Sequence, residues 1–190
     1  MKIFFNIMLS VIFALVVIII AKPFLNDYKE KTRYDFTVST IDGEIKKDDF
    51  EGKVLAIYFG YTFCPDVCPT TLSSLAQALK SIDKEKVKDF KGLFISVDPD
   101  RDTLKNLKEY AQYFHTNFIG ATSNKENLDD IVKRYKSYYK KVELKDSAMD
   151  YSVSHTSYIY LFDKNGKLFK RIDHFFDPSK IKEDLEMVLK

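Results

Sequence analysis

Tyr58 to Leu75 reads YFGYTFCPDVCPTTLSSL and holds both cysteines of the 190-residue chain, with a three-residue spacer between them and a proline after each. The run that leads into it, GKVLAIYFGY, is almost continuously apolar and β-rich, the pattern of a strand covered on both faces. Beyond the cysteines, Leu72, Leu75, Ala76, Leu79 and Ile82 recur at helical spacing and predict a helix from about Thr70 to Asp83. A strand running through a short loop into a helix is the repeating unit of an α/β fold, and such folds place their sites at the carboxyl ends of strands. The cysteines fall at that position.

Buried cysteine often behaves as an inert small hydrophobe, but that role favours a strand or an apolar helix face rather than a loop with Pro65, Asp66 and Pro69 around it. Pro69 suits the first turn of a helix, which makes Cys68 a candidate N-cap whose sulfur the helix dipole would favour as thiolate. Two sulfurs so close can exchange disulfides or hold a metal. Thioredoxin-type redox motifs use a two-residue spacer, and the longer one here leaves more room for an ion. Two cysteines do not complete a metal site, so a further ligand is required, and the chain offers three histidines. His115 closes an amphipathic helix, where a cation at the negative end of the dipole explains it. His174 stands beside two phenylalanines and reads as packing. His155, in DYSVSHTSYIYLF, directly precedes a strand and, taken alone, reads first as structural.

Outward from the motif, FTVSTIDGEI predicts an N-terminal β-hairpin turning at Asp42-Gly43, and GLFISVD a second buried strand ending at Asp98. DPDRDTLKNLKEYAQYFH predicts a helix capped by Asp102 or Thr103; Asp98, Asp100, Arg101 and Asp102 before it read first as a solvated charge cluster, and otherwise as support for the ligands or a docking surface for a partner. NFIGAT is a short strand, and a helix through Leu128, Ile131, Val132 and Tyr135 follows it. The KRYKSYYKK run, Lys133 to Lys141, reads as a solvated helix face with its tyrosines folded inward. SYIYLFDKNGKLFKRIDHF is a pair of strands around Asn165-Gly166, and a last helix opens at Asp177-Pro178. Strands alternating with helices and closing on a hairpin predict an α/β sandwich with a mixed central sheet.

The 30 basic and 28 acidic side chains are interspersed, and no basic stripe interleaved with aromatics exists, so nucleic acid is not an expected partner. Two cysteines also cannot staple a disulfide scaffold. From Ile3 to Ala21 the chain carries no charge, about the 20 residues that cross a bilayer as a helix. A cleaved signal peptide has an apolar region of only about 7–15 residues, so an uncleaved anchor is expected. The organisation that follows is residues 1–22 as membrane anchor, 23–34 as polar tether and 35–190 as one folded domain.

YFGYTFCPDVCPTTL, ISVDPDRDT and VSHTSYIYLFDKNGKL, in this order, resemble the Sco/SenC family of copper-binding proteins that assist assembly of cytochrome c oxidase. The resemblance runs from about Phe36 to the C-terminus. It implies a thioredoxin-like fold and copper, as Cu(I) or Cu(II), bound by Cys64, Cys68 and His155. It further implies a membrane-anchored chaperone rather than a turnover enzyme, with the copper-receiving oxidase subunit and other copper carriers or thiol reductants as partners. The domain is then expected on the periplasmic side of a bacterial inner membrane, with the mitochondrial inner membrane as the alternative. VSHTS lacks the proline that thioredoxin-type oxidoreductases carry in the corresponding loop, which fits a metal site better than a disulfide exchanger. Two positions depart from the family pattern: Ser154 where many relatives have an acid, and Phe63 where some have a histidine. A thiol-disulfide oxidoreductase acting on the oxidase subunit through Cys64 and Cys68, and a peroxidase using Cys64 as attacking thiolate, are the competing readings.

Overall fold

A computed structural model describes residues 2–144, 149–173 and 177–190, so the packing role expected for His174 lies outside the described residues. The chain divides into two compact units, Met1–Arg33 and Tyr34–Lys190. The first is a single helix, α1 (Lys2–Arg33), which continues through the polar residues expected as a tether. Within it Phe4–Glu30, of hydropathy 2.9, is long and apolar enough to cross a membrane.

The second unit is an α/β sandwich on a five-stranded mixed sheet. β3 (Val54–Gly60) is its middle strand, every residue of it buried. It runs parallel to β4 (Phe90–Ser96), which pairs in parallel with the edge strand β5 (Phe118–Ala121). On its other side it is antiparallel to β8 (Tyr158–Phe162), which carries β9 (Leu168–Asp173) at the opposite edge. Successive β3 residues face opposite sides. Tyr58 stacks on Phe94, and Phe94 meets Tyr110 of α4 (Leu104–Phe114). On the other side Phe59 meets the edge of Tyr135, the buried C-cap of α5 (Lys125–Arg134). Burying such aromatic pairs contributes about 0.5–1.5 kcal/mol each beyond the area they remove from water.

The N-terminal hairpin forms as expected, β1 (Thr37–Thr40) against β2 (Gly43–Lys46), with Gly43 at φ 123° making the turn. It joins the sheet by a bridge from Ser39 to Thr122. The helix after the cysteines, α2 (Val67–Lys80), starts earlier than its apolar spacing predicts. Its first turn is built from Cys68 and Pro69, which carry no helical periodicity. It also ends sooner, and Asp83 caps a separate short helix, α3 (Lys84–Val87). α2 packs on α6 (Pro178–Val188), which Asp177 caps with proline at the first helical position.

One expected helix face is absent. The Lys133–Lys141 run is not a helix face: α5 stops at Arg134, Lys136 takes a left-handed φ of 54°, and the chain turns into β6 (Tyr139–Glu143). β6 pairs antiparallel with β7 (Tyr151–His155) as a two-stranded ribbon, a sheet of its own, with Tyr139 opposite His155.

Candidate metal centre

β3 delivers the chain to the carboxyl edge of the sheet, where Tyr61 to Asp66 form the loop and Asp66 becomes the N-cap of α2. Cys68 is therefore the second residue of the helix rather than its cap. It is fully buried, while Cys64 is half-buried in the loop. The sulfur of Cys64 accepts the Cys68 backbone N–H at 3.4 Å, taking one of the donors that the start of a helix leaves unpaired. That corrects the expected thiolate. The Cys68 thiol donating to Cys64, with help from the Cys68 amide, holds the Cys64 thiol down at about 3. Cys68 is pushed well up, because its proton bridges to Cys64 and its burial disfavours a second charge. The pair holds one proton between two sulfurs.

The position beneath Cys68 admits no side chain. A Cβ on Gly60 would stand 2.9 Å from the Cys68 sulfur and 2.7 Å from the Phe94 ring, so glycine here lets the sulfur sit directly on the strand end.

His155 arrives from the ribbon. Its Nε2 lies 3.3 Å from the Cys68 sulfur, across 87 positions of sequence. Its Nδ1 stands 3.2 Å from the carbonyl of Thr156, which can only accept, so Nδ1 carries the proton and Nε2 presents its lone pair to the sulfurs. A backbone carbonyl holding the far nitrogen of an imidazole is the usual support of a metal-binding histidine. Tyr58 and Tyr61 meet the imidazole edge-on at 6.1 and 6.0 Å and, with burial pushing both phenols up, wall the pocket as neutral rings. The ligand atoms of Cys64, Cys68 and His155 all lie within 4.8 Å of one another. A three-coordinate ion with bonds of about 2.0–2.3 Å separates its ligands by about 3.5–4 Å, so these donors need only small shifts to share one.

The other histidine within the described residues takes no part. His115 is the C-cap of α4, and burial, then Lys80, hold it below the usual imidazole range. Its Nδ1 accepts the Asn117 amide at 3.0 Å, so it caps as a neutral acceptor and not as the cation that its position at a helix end implied.

The acidic loop after β4 is not a solvated cluster either. Thr103 caps α4, leaving Asp98 and Asp102 buried. Asp102 accepts from the amide and hydroxyl of Thr62 at 3.0 and 2.5 Å and from Ser96 at 2.5 Å, tying this loop to the cysteine loop. Hydrogen bonds to a charged partner contribute about 1.5–3 kcal/mol each. Asp98 accepts from Arg101 Nε at 2.5 Å and from the Tyr151 hydroxyl at 2.8 Å, reaching the ribbon. Among the two departures noted in sequence, Phe63 is exposed beside Cys64, and Ser154 bonds the Tyr138 hydroxyl at 3.1 Å on the outer face of the ribbon.

Fold and site together define a thioredoxin-like domain carrying two thiols and an imidazole at the carboxyl edge of its sheet. Residues 26–190 match the sequence profile of SCO1/SenC, and the chain belongs to that family. It is 38% identical over 167 residues to an SCO2-like protein of Rickettsia conorii, covering 86% of this chain and 80% of that protein. To the human mitochondrial SCO1 homolog it is 39% identical over 142 residues, 74% of this chain and 46% of the longer human protein. The crystal structure of Arabidopsis thaliana ScoI with copper bound superposes with a TM-score of 0.73 at 33% identity, covering 82% of this chain and 96% of that one.

Proposed function

We propose that the protein is a membrane-anchored copper chaperone that binds copper through Cys64, Cys68 and His155 and assists copper-site assembly of cytochrome c oxidase. The observation that carries the reading is the convergence of two sulfurs and one imidazole nitrogen within 4.8 Å. Soft thiolates favour Cu(I), and an imidazole beside them extends the site to Cu(II). The copper is cargo. The metal-free pair holds one proton, so loading a copper ion onto both sulfurs releases it, and occupancy rises with pH until that proton is gone. Removing two electrons from the pair to form a disulfide would abolish both anionic donors and expel the metal.

The receiving partner is the copper-site subunit of the oxidase, with other copper carriers or thiol reductants upstream. α1 anchors the domain, on the periplasmic side of a bacterial inner membrane; the mitochondrial inner membrane is the alternative, since the relatives include both rickettsial and mitochondrial proteins. The experiment is copper titration of the reduced full chain in detergent, followed by absorption. The expected result is a single equivalent bound, with a sulfur-to-copper charge-transfer band in the Cu(II) form. A chain that binds no copper, or whose band survives loss of either cysteine, would overturn the reading.

A second reading has its own observation. A thiolate held down at about 3 beside a thiol that keeps its proton is also the arrangement of a thiol-disulfide reductase, with Cys64 attacking and Cys68 resolving. That chemistry does not need His155. His155→Ala separates the two: the chaperone loses tight copper binding, whereas a reductase keeps most of its thiol exchange.

A further inference from the structure

We propose that Arg101 is a latch joining the histidine ribbon to the cysteine loop, so that its contacts set whether His155 stands at the metal pocket. This deepens the copper reading above and rests on it. The need for a latch comes from topology: among the described residues β6 and β7 pair only with each other, so the ribbon lies against the domain through side chains. Beside it a groove of 470 Å³, lined in part by Asp100, Lys125, Asp129 and Lys141, runs between the ribbon and the loop after β4.

One guanidinium touches both halves of the centre. On the ribbon side its carbon stands 3.7 Å from the centre of the Tyr151 ring, and Nη1 donates to the Tyr151 carbonyl at 2.9 Å. On the cysteine side it lies 4.9 Å from the Phe63 ring and 5.7 Å from that of Tyr61. Phe63 directly precedes Cys64. From its own loop it is fixed by Asp98, which is fully buried and accepts from Nε, while the second Asp98 oxygen takes the Tyr151 hydroxyl. Lys141 covers Tyr151 at 4.4 Å and pairs with Asp100.

The period of a strand carries this grip to the ligand. Tyr151, Val153 and His155 lie on one face of β7, with Val153 buried between them. Freeing Tyr151 therefore lifts the face that holds His155. Only a flat, forked cation can stack on an aromatic ring while donating to the carbonyl and carboxylate at its rim, which makes arginine specific here. Because the same guanidinium stacks on Phe63 beside Cys64, a movement of the cysteine loop is transmitted to the ribbon through this side chain.

The test uses the full chain in detergent and two variants. Tyr151→Leu removes the clasped ring, and Arg101→Met combined with Asp98→Asn removes both charges, so neither is left buried alone. Hydrogen–deuterium exchange of the metal-free protein reads the latch, and pulsed EPR of the Cu(II) form reads imidazole coordination. In both variants amides of 151–155 should exchange about tenfold faster or more, with β3 and β4 unchanged, and the imidazole coupling should be lost. His155→Ala should leave ribbon exchange as in the wild type. Unchanged ribbon exchange in the two variants, or acceleration spread equally over β3 and β4, would overturn the latch. Absence of imidazole coupling in the wild type would instead defeat the copper reading, while the exchange comparison would still decide the latch.

Discussion

Cys64 lies in the loop between the middle strand of the central sheet and α2, and Cys68 in the first turn of that helix, whereas His155 ends a ribbon that among the described residues has no backbone pairing to that sheet. The sulfurs inherit the rigidity of the core: Gly60 seats one, a helix amide holds the other, and Asp102 pins the loop through Thr62. The imidazole has a carbonyl behind it and aromatic walls around it, but the strand that carries it is held by Arg101, Tyr151 and Lys141. A site built on one fixed half and one clasped half suits a carrier, because a metal that must leave needs a ligand that can step back while the others keep hold.

Four tests sharpen that contrast. The largest effect is expected on the fixed side: Cys68→Ser should weaken copper binding by more than about a hundredfold, and His155→Ala, which leaves both sulfurs in place, by less than Cys68→Ser but by more than the roughly tenfold that loss of an outer-shell partner costs. Competitive titration of both proteins checks the order, and a reversed order would break the division into fixed and clasped halves. Next comes Gly60→Ala, whose added methyl must displace the Cys68 sulfur or the Phe94 ring. Overpacking of this kind should destabilise the domain by about 1–3 kcal/mol in chemical denaturation and lower copper affinity with it.

The third is a pH profile. With Cys64 held at about 3, its thiolate is already formed above that value and is lost only as pH falls through it. Alkylation of the metal-free protein at Cys64 should thus stay flat between about pH 8 and about pH 5, where an ordinary cysteine slows about tenfold per unit. A normal thiol profile would show that Cys68 does not share a proton with it. The smallest effect belongs to the outer face of the ribbon. Ser154→Asp places a carboxylate beside Tyr138, away from the sulfurs, and should change copper affinity by less than about threefold in titration.

The fixed half was legible in the sequence and the clasped half was not. An unbroken apolar strand, two cysteines with their prolines and the helical spacing from Leu72 onward are local signals, and they placed the sheet, the loop and both sulfurs. The hairpin turns at Gly43 and Gly166 were legible for the same reason, since positive φ at glycine is written in the sequence itself. The pairing of His155 with Cys68 spans 87 residues, so only resemblance to a family, and not spacing, could point to it. The ribbon was missed because KRYKSYYKK alternates lysine and tyrosine in a way that also fits an amphipathic helix, and only the left-handed turn at Lys136 separates the two. Asp98, Arg101 and Asp102 look like surface charge in a linear reading. The burial of Asp98 and Asp102 follows from partners at Thr62, Ser96 and Tyr151, which the fold alone brings near.

The central claim is that two sulfurs and one distant imidazole form a single copper pocket. X-ray absorption at the copper edge of the Cu(I)-loaded full chain tests it most directly. The account predicts two sulfur neighbours at about 2.2–2.3 Å and one nitrogen at about 2.0 Å with outer-shell imidazole scattering, the nitrogen disappearing in His155→Ala. A spectrum with sulfur neighbours alone, or one that His155→Ala leaves unchanged, would contradict it.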